Sequence, residues 1–310
     1  MITKAKMPRR EFKDYDKITL TSMNNIYDIC YTKVRNTKNN ITLLDKDHYI
    51  VNSTGEVIDC NHIENRSQNL AQVRASLNRL CEYINTNVTN ANEWLWVTLT
   101  YKENMKDTHQ LYLDMDRFNK RFRYQFKDYK IKYIYCMEPQ RRGAWHCHAL
   151  IGFNKEAPYI PNATIEKLWG KGFTKTKSLN GIDNIGVYLC AYLGDLDLTL
   201  EEAQEFSKKA PMSLLNEKLK YISNIDGKNL EIPKAIIKGG RLNMYPPKFN
   251  IYRISRDIKK PTKEIMSYKE AKEKIGLEHQ PIHANNFIIS DKDKDFENII
   301  AHEYYNTKRA

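Results

Sequence analysis

Alternating apolar and polar residues predict a group of β-strands in the middle of the chain. Segment 94–101 (WLWVTLTY) is rich in β-branched and aromatic residues, and it alternates between an apolar face and a face with two threonines. Segments 130–138 and 145–153 are of the same kind, and the Pro- and Gly-containing loop between them predicts a β-hairpin. Short strands are also predicted at 18–21 and 49–51. We expect a helix layer on the apolar face of segment 94–101 and an open sheet surface on its threonine face.

Helices are predicted over 64–88, 108–127, 161–169, 183–193 and 199–222. In the first two, apolar residues recur at three- and four-residue steps, which is typical of amphipathic helices. Asp183 is the predicted N-cap of the fourth helix and Gly194 its predicted stop. Residues 170–177 predict a basic strand or loop, and residues 232–255 predict extended structure.

The charge of the chain favours a polyanionic partner. Its 310 residues carry a net charge of +12 with a pI near 9.2, which favours nucleic acid. Twenty tyrosines and four tryptophans add rings that could stack on unpaired bases.

The sequence predicts neither a membrane span nor a signal peptide. It contains no run of about 18 apolar residues. Its basic N-terminal residues are not followed by the apolar segment of a signal peptide. We therefore expect a cytoplasmic location and no membrane partner.

The six cysteines are scattered along the chain at positions 30, 60, 81, 136, 147 and 190. No CxxC pair is present, which argues against a zinc ribbon and against a disulfide framework. The spacing predicts reduced, mostly buried thiols.

Two histidines one residue apart, His146 and His148, predict a metal site. Residues i and i+2 of a strand face the same way, about 7 Å apart, so both imidazoles can reach one ion. Cys147 points to the opposite face and is excluded as a ligand. Such a pair also occurs by accident on surface strands. The glutamate upstream and the tyrosines downstream favour the metal site.

The predicted hairpin supplies Glu138 as the third ligand. If Glu138 pairs with His146, the turn is centred on Arg142 and the carboxylate lies beside the imidazoles. A shift of one residue would pair Glu138 with Trp145 and turn it to the other face. Gln140 is the alternative oxygen donor.

Two histidines and one carboxylate leave coordination positions open. This suits a catalytic divalent ion rather than a closed structural site. Mn²⁺ tolerates imidazole better than Mg²⁺ does. The cellular abundance of Mg²⁺ keeps it as the second candidate.

Tyr188 and Tyr192 predict the nucleophile. Four residues apart on one helix, they would share a face, although two core aromatics would have the same spacing. Beside a metal site in a basic protein, we interpret them as phenols that attack a polarised DNA phosphate. The product would be a phosphotyrosine and a free 3′-hydroxyl, and the second tyrosine could then attack a second phosphate and release the first.

Other side chains near these motifs are predicted to position the DNA. The candidates for phosphate contacts are Arg141, Arg142, Lys171, Lys175 and Lys177. Trp145 is a candidate for stacking on a base. Trp169 is a second candidate, for which core packing is the stronger expectation.

The order of these motifs resembles that of the HUH endonucleases of rolling-circle replication. A TLTY strand, an E…RGxxHxH hairpin and a YxxxY helix follow one another within about residues 70–260. More narrowly, the chain looks like the replication-associated initiators of bacterial plasmids, integrative elements and single-stranded DNA phages. The resemblance implies an α+β fold with a central antiparallel sheet of RRM-like or ferredoxin-like type and helices on one face. It also implies nicking of one strand at an origin hairpin.

Carried onto this chain, the resemblance assigns roles to five residues. The implied metal ligands are His146, His148 and Glu138, and the implied nucleophiles are Tyr188 and Tyr192. Two positions depart from the family pattern. Cys147 stands where a bulky apolar residue is usual, and Ala191 replaces the lysine that many members carry before the second tyrosine, so the group that activates the nucleophile is unidentified.

The predicted organisation has three parts. Residues 1–63 form an N-terminal extension of unknown role, residues 64–260 the endonuclease domain, and residues 261–310 a charged tail. The chain lacks the GxxxxGK[ST] loop of a helicase motor. We therefore expect a host helicase and polymerase as partners, besides single-stranded or stem-loop DNA at a replication origin.

Two alternatives remain open. A transposase or relaxase would use the same chemistry, but the tyrosines follow the histidines, which favours the replication and transposase types over relaxases. A non-enzymatic DNA-binding or replication-control protein, with a structural ion or none, would bind DNA without cutting it.

Overall fold

In a computed structural model, the chain divides into two compact units. The first comprises Met1–His62, Asn85–Asn87 and Lys259–Ala310, and the second Ile63–Ile84 and Val88–Ile258. The structure describes residues 2–35, 40–182, 184–190, 193–198, 219–225, 228–237, 239–291, 293 and 296–309.

The described residues form the following elements, numbered in chain order. The helices are α1 (Leu70–Asn87), α2 (Thr108–Gln125), α3 (Asn162–Trp169), α4 (Ile185–Cys190) and α5 (Tyr268–Ile275). The first nine strands are β1 (Ile2–Lys6), β2 (Lys17–Met23), β3 (Ile26–Thr32), β4 (Ile41–Leu43), β5 (His48–Val51), β6 (Val57–Asp59), β7 (Trp94–Thr100), β8 (Lys132–Pro139) and β9 (Trp145–Gly152). The others are β10 (Thr174–Lys177), β11 (Leu196–Leu198), β12 (Leu219–Ile225), β13 (Lys228–Ile237), β14 (Tyr252–Ile254), β15 (Thr262–Ser267), β16 (His283–Asp291) and β17 (Phe296–Asn306).

A five-stranded antiparallel sheet, ordered β10-β7-β9-β8-β14, forms the centre of the second unit. The three strands predicted in the middle of the chain are its three inner strands, β7, β9 and β8. In the β8–β9 hairpin, Glu138 pairs with His146, which is the register that places the carboxylate on the histidine side. The α+β class with a central antiparallel sheet is confirmed.

One face of this sheet packs against α2 and α3. Trp169 of α3 contacts Tyr101 just beyond β7, with ring centroids 5.0 Å apart, and contacts Phe118 of α2 at 6.0 Å. The apolar stripe of α2 is fully buried there. This is the helix layer expected on the apolar side of β7, and we call it the α2 face.

The opposite face, here called the histidine face, carries Glu138, His146 and His148. Helices also reach it, since Tyr83 of α1 contacts Tyr252 of β14 at 6.1 Å. The expectation of helices on one face therefore describes α2 and α3 only. The reason is that α1 and α4 also carry apolar residues that pack against this sheet.

Most predicted helices are found, with shifted ends. The first begins at Leu70, after a 3₁₀ turn at Arg66–Gln68, rather than at residue 64. Residues 199–218 of the fifth predicted helix and the predicted N-cap Asp183 lie outside the described residues. The last residues of that predicted helix, from Leu219 on, belong to strand β12, which pairs with β13 in a three-stranded sheet with β11.

The first unit contains a six-stranded antiparallel sheet ordered β1-β16-β17-β3-β2-β15. Helix α5 packs on it through Ala271 and Ile275, which meet Ile18, Leu20 and Tyr305. A smaller sheet, β4-β5-β6, lies in the same unit. The segment predicted as a charged tail thus supplies three strands and a helix, because β17 pairs with β3 from the other end of the chain.

All six cysteines are free. Cys136 and Cys147 are buried, and the other four are partly buried. Among the residues described, no helix is long and apolar enough to cross a membrane.

Candidate metal centre

Glu138, His146 and His148 converge on the histidine face. Nε2 of His146 lies 3.2 Å from Oε2 of Glu138, and Nε2 of His148 lies 3.4 Å from the same oxygen. One ligand atom from each of the three residues lies within 4.8 Å of the others. The hairpin register and the alternation of β9 thus bring together the three residues that the sequence predicted.

The three donors fit a divalent ion. Ligand atoms about 2.1 Å from one ion lie about 3 Å apart when they subtend a right angle, close to the Glu–His separations here. The histidines are 14% and 19% exposed at their side chains, so the site opens to solvent on one side. Two imidazoles and one carboxylate suit Mn²⁺, and also Mg²⁺ where other ligands are oxygens.

Cys147 lies on the α2 face, paired with Leu99 and Met137, and is buried. Strand alternation therefore keeps its thiol away from the histidines, as the sequence predicted. Burial raises the pKa of the Cys147 thiol well above its ordinary value, so a thiolate is not available there.

Arg241 anchors the second oxygen of Glu138. Its guanidinium forms an ion pair with Oε1, and its Nη1 donates to the carbonyl of Pro139 at 3.0 Å. The backbone N–H of Gly194 donates to the same Oε1 at 2.9 Å. Oε1 is thus held by the protein, and Oε2 is left to the histidines.

Two turns place Arg241 beside Glu138. The Asp195 carboxylate accepts from the N–H of Gly239 at 2.8 Å, and the N–H of Arg241 donates to the carbonyl of Gly194 at 2.8 Å. Nε of Arg241 also donates to the carbonyl of Asp195. These bonds connect the segment after α4 with the turn after β13 and fix the guanidinium.

The surroundings favour the ligand forms of these groups. Burial would raise the pKa of Glu138, but hydrogen bonds from His146 and His148 and the charge of Arg241 outweigh it, so the pKa lies well below its ordinary value. Burial, with the charges of His148 and Arg241, lowers the pKa of His146, although Glu138 acts in the opposite direction. A charged carboxylate and a neutral imidazole are the forms that bind metal.

Thr98 and Trp96 on β7 border the histidines. Oγ1 of Thr98 lies 3.3 Å from Nδ1 of His148 and can fix the tautomer that presents Nε2. The ring of Trp96 meets His148 edge-on, with centroids 5.9 Å apart. These contacts orient the second imidazole.

Tyr188 of α4 also reaches this face. Its ring meets the Trp96 ring edge-on, with centroids 5.5 Å apart and planes at 84°. One indole therefore contacts both the first predicted nucleophile and a histidine of the cluster. Tyr192 and Ala191 lie outside the described residues.

Of the predicted DNA contacts, Lys175 and Lys177 lie on the histidine face. Lys175 pairs with Thr98 and Lys177 with Trp96, so both side chains share the face of the metal cluster. Both are exposed. They extend the basic surface from the histidines to the β10 edge.

The other predicted cations lie elsewhere. Arg142 donates to the carbonyls of Tyr101 and Lys102 at 2.5 and 3.2 Å, so it fixes the hairpin loop to the end of β7. Lys171 lies 3.4 Å from Asp114 of α2. Arg141 is exposed in the hairpin loop.

Two further sequence predictions are corrected by burial and bonding. Trp145 is 2% exposed, stacks on Phe249 at 4.5 Å and donates from Nε1 to a backbone carbonyl, so its ring faces are occupied by core contacts rather than open to a base. Gln140 lies in the hairpin loop beyond β8, where its side-chain oxygen accepts from Nε of Arg142, so that oxygen is bonded within the loop rather than offered to an ion. Trp169 is a core residue, as expected.

Sequence reasoning missed Arg241 and Trp96 as site residues. Arg241 was noted only as one of several cations in an extended segment. Its one signal is the Gly239-Gly240 pair before it, which indicates a turn but not what the turn faces.

Residues 94–197 match a family model for replication-associated proteins of the ORF2 type. The match covers about a third of the chain and includes β7 to β11 with the whole Glu–His–His cluster and Tyr188. It fits a role in replication initiation. The chain matches no curated protein and no solved structure.

Proposed function

We propose that this chain is a metal-dependent DNA nickase and strand transferase that initiates rolling-circle replication of a plasmid, mobile element or phage. The observation that carries the proposal is the position of Tyr188 on the same sheet face as the Glu138–His146–His148 cluster, within the segment that matches the replication-associated family. HUH-type chemistry accounts for this combination.

Each residue of the cluster has a proposed task. Glu138, His146 and His148 hold the divalent ion, which supplies a Lewis acid to a phosphoryl oxygen when bound. Arg241 and Thr98 orient Glu138 and His148 through the contacts described above.

In the proposed reaction, the oxygen of Tyr188 bonds to phosphorus, and the bond from phosphorus to the 3′-oxygen of the preceding nucleotide breaks. That oxygen takes up a proton and leaves as a 3′-hydroxyl, while the 5′-phosphate stays on the tyrosine. One phosphate ester replaces another, so the bond can be remade in a second transfer, for which we propose Tyr192.

The DNA contacts and partners follow from the same surface. Lys175 and Lys177 are proposed to bind backbone phosphates beside the metal centre, with Arg141 and Arg142 near the hairpin. The 3′-hydroxyl would prime a host polymerase. A host helicase is proposed because the sequence carries no helicase motif of its own.

A nicking assay tests this proposal. Supercoiled plasmid carrying the DNA around the gene is incubated with Mn²⁺, with Mg²⁺ or with EDTA, and the cut site is mapped. We expect one nick position with either ion and none with EDTA. His148→Ala should lower the rate at least about 100-fold, and Cys147→Ala, on the opposite face, should retain it.

The alternative without catalysis predicts a different result. If the chain bound this DNA equally with and without EDTA, and if neither Mn²⁺ nor Mg²⁺ supported cleavage, it would be a replication-control protein rather than a nickase.

A further inference from the structure

A cavity of about 670 Å³ lies at the β10 edge of the second unit, between the start of β7, strand β10 and segment 156–162. Its volume is within the range of about 300–1,000 Å³ typical of ligand sites. The metal ligands lie outside its described lining, whereas Lys175 and Lys177 belong to it.

Two aromatic side chains at this cavity are unusually exposed. Tyr159 is 92% and Phe173 is 63% exposed, although both line the cavity. Exposed rings cost hydration free energy unless something covers them. Aromatic rings on a basic surface are the side chains on which unpaired bases stack.

Within the described part of the chain, two buried polar atoms of the cavity residues have no hydrogen-bond partner. They are Nε1 of Trp94, a residue 2% exposed, and Oγ1 of Thr176. An unpaired buried polar atom costs free energy that a ligand can restore. The edge of a nucleobase offers both acceptors for the indole N–H and groups that bond a hydroxyl.

Charge and position connect the cavity with the metal centre. Among the described lining residues, Lys175 and Lys177 outnumber the acidic Glu156. Nζ of Lys177 lies 5.3 Å over the Trp96 ring, which also contacts His148 and Tyr188. A strand crossing β7 and β10 from the histidines would reach the cavity after about 10 Å, two strand spacings.

Hydrogen bonds fix the walls of the cavity. Asn162 and Thr174 bond each other twice, at 3.0 and 3.1 Å. The N–H of Ala157 donates to the carbonyl of Asn92 at 2.8 Å. A preformed site binds with a smaller ordering cost.

From these observations we infer that the cavity binds an unpaired base of the single DNA strand that runs from the metal centre over Lys175 and Lys177. Tyr159 and Phe173 stack on the base, and Trp94 and Thr176 bond its edge. The inference rests on the DNA substrate of the proposed function and adds a place where that substrate is read.

The test compares two probes in EDTA, so that no cleavage occurs. One is a fluorescein-labelled oligothymidylate of about 12 nucleotides, and the other an oligomer of equal length and charge with abasic residues. The double variant Tyr159→Ala/Phe173→Ala should bind the oligothymidylate about 10-fold more weakly, with the abasic probe unchanged. Tyr124→Ala on α2, also an exposed tyrosine, is the matched control and should change neither.

Unchanged oligothymidylate binding by the double variant would overturn the inference. So would an equal loss for both probes, because the lysines would then bind phosphates without a base site. The covalent reaction is measured separately with Mn²⁺ at saturating DNA. Adduct formation without a base effect removes the cavity alone, whereas a base effect without any adduct from the wild type removes the proposed nicking alone.

Discussion

Glu138 uses its two carboxylate oxygens for different partners. Oε1 bonds Arg241 and the N–H of Gly194, while Oε2 faces the two histidines. A buried carboxylate that lacked these bonds would gain free energy by taking up a proton. The arrangement keeps it charged and fixes the direction of the oxygen proposed to bind metal.

Arg241→Lys is expected to weaken metal binding. A lysine keeps the positive charge but cannot bond Glu138, Pro139 and Asp195 at once. Loss of such an outer-shell partner typically costs about 10- to 100-fold in metal affinity, and we expect about 10-fold for Mn²⁺ by calorimetry. Arg253→Lys is the control, since Arg253 pairs with Asp116 of α2. Equal affinities for Arg241→Lys and wild type would show that Arg241 does not position Glu138.

At the residue scale, the sequence predicted those ligands that lie close together in the chain. The histidines share a face by strand alternation, and Glu138 meets them across a short hairpin. Arg241 could not be found in this way, because 102 residues separate it from Pro139, to which it also bonds. Its contact depends on two turns that no local pattern specifies.

Among the elements, the segment after α4 connects the tyrosine helix to the metal centre. Gly194, the predicted helix stop, has φ of +79° and donates its N–H to Glu138. A Cβ on it would lie 2.9 Å from Cδ2 of the buried Leu242. The position therefore requires glycine for its backbone angle and also for space.

Gly194→Ala is expected to destabilise the second unit and to weaken Mn²⁺ binding. Gly181→Ala is the matched control, because Gly181 also has φ of +79° but no atom within 4 Å of an added Cβ. The control should lose about 1–2 kcal/mol from backbone strain alone, measured by urea unfolding. Gly194→Ala should lose more than the control and bind Mn²⁺ more weakly. Equal losses and equal affinities would contradict the role given to Gly194.

Strand prediction succeeded for β7, β8 and β9 because each is bounded by turn residues and alternates clearly. The helix predicted to extend to residue 222 overlaps β12, whose place in a sheet depends on pairing with β13. Tertiary pairing of this kind overrides local preference.

For the molecule as a whole, the sequence concealed the first unit. Its sheet joins the two ends of the chain, as in the pairing of Ile2 with Asp291 and of Ile26 with Asn306. Strands so distant in sequence leave no hairpin signal, and a charged composition suggested a tail. The sheet buries Ile18, Leu20 and Ile29 beneath α5, which gives this unit a core of its own.

His302 should make the stability of the first unit depend on pH. Burial lowers its pKa, but bonds with Asp28 and Cys30 outweigh it and raise the pKa to about 10. The bound proton therefore stabilises the fold fully below about pH 6.5, the ordinary histidine value. That contribution is lost as the pH rises through about 10.

Urea unfolding near pH 6 and near pH 10 measures this effect. The charge-assisted bond should contribute about 2 kcal/mol at the lower pH. His302→Gln should therefore be less stable than wild type near pH 6 and about equal to it near pH 10. A constant difference between the two proteins at both pH values would contradict the assignment.

The central claim is that a tyrosine on the histidine face attacks DNA, and it is tested most directly by isolating the covalent adduct. The wild type is incubated with Mn²⁺ and a single-stranded oligonucleotide that spans the mapped nick. The protein is then digested and the DNA-linked peptide identified by mass spectrometry. We predict a phosphotyrosine at Tyr188 or Tyr192, abolished by EDTA and by the double variant Tyr188→Phe/Tyr192→Phe. Adduct formed in equal amount by the double variant would contradict the account.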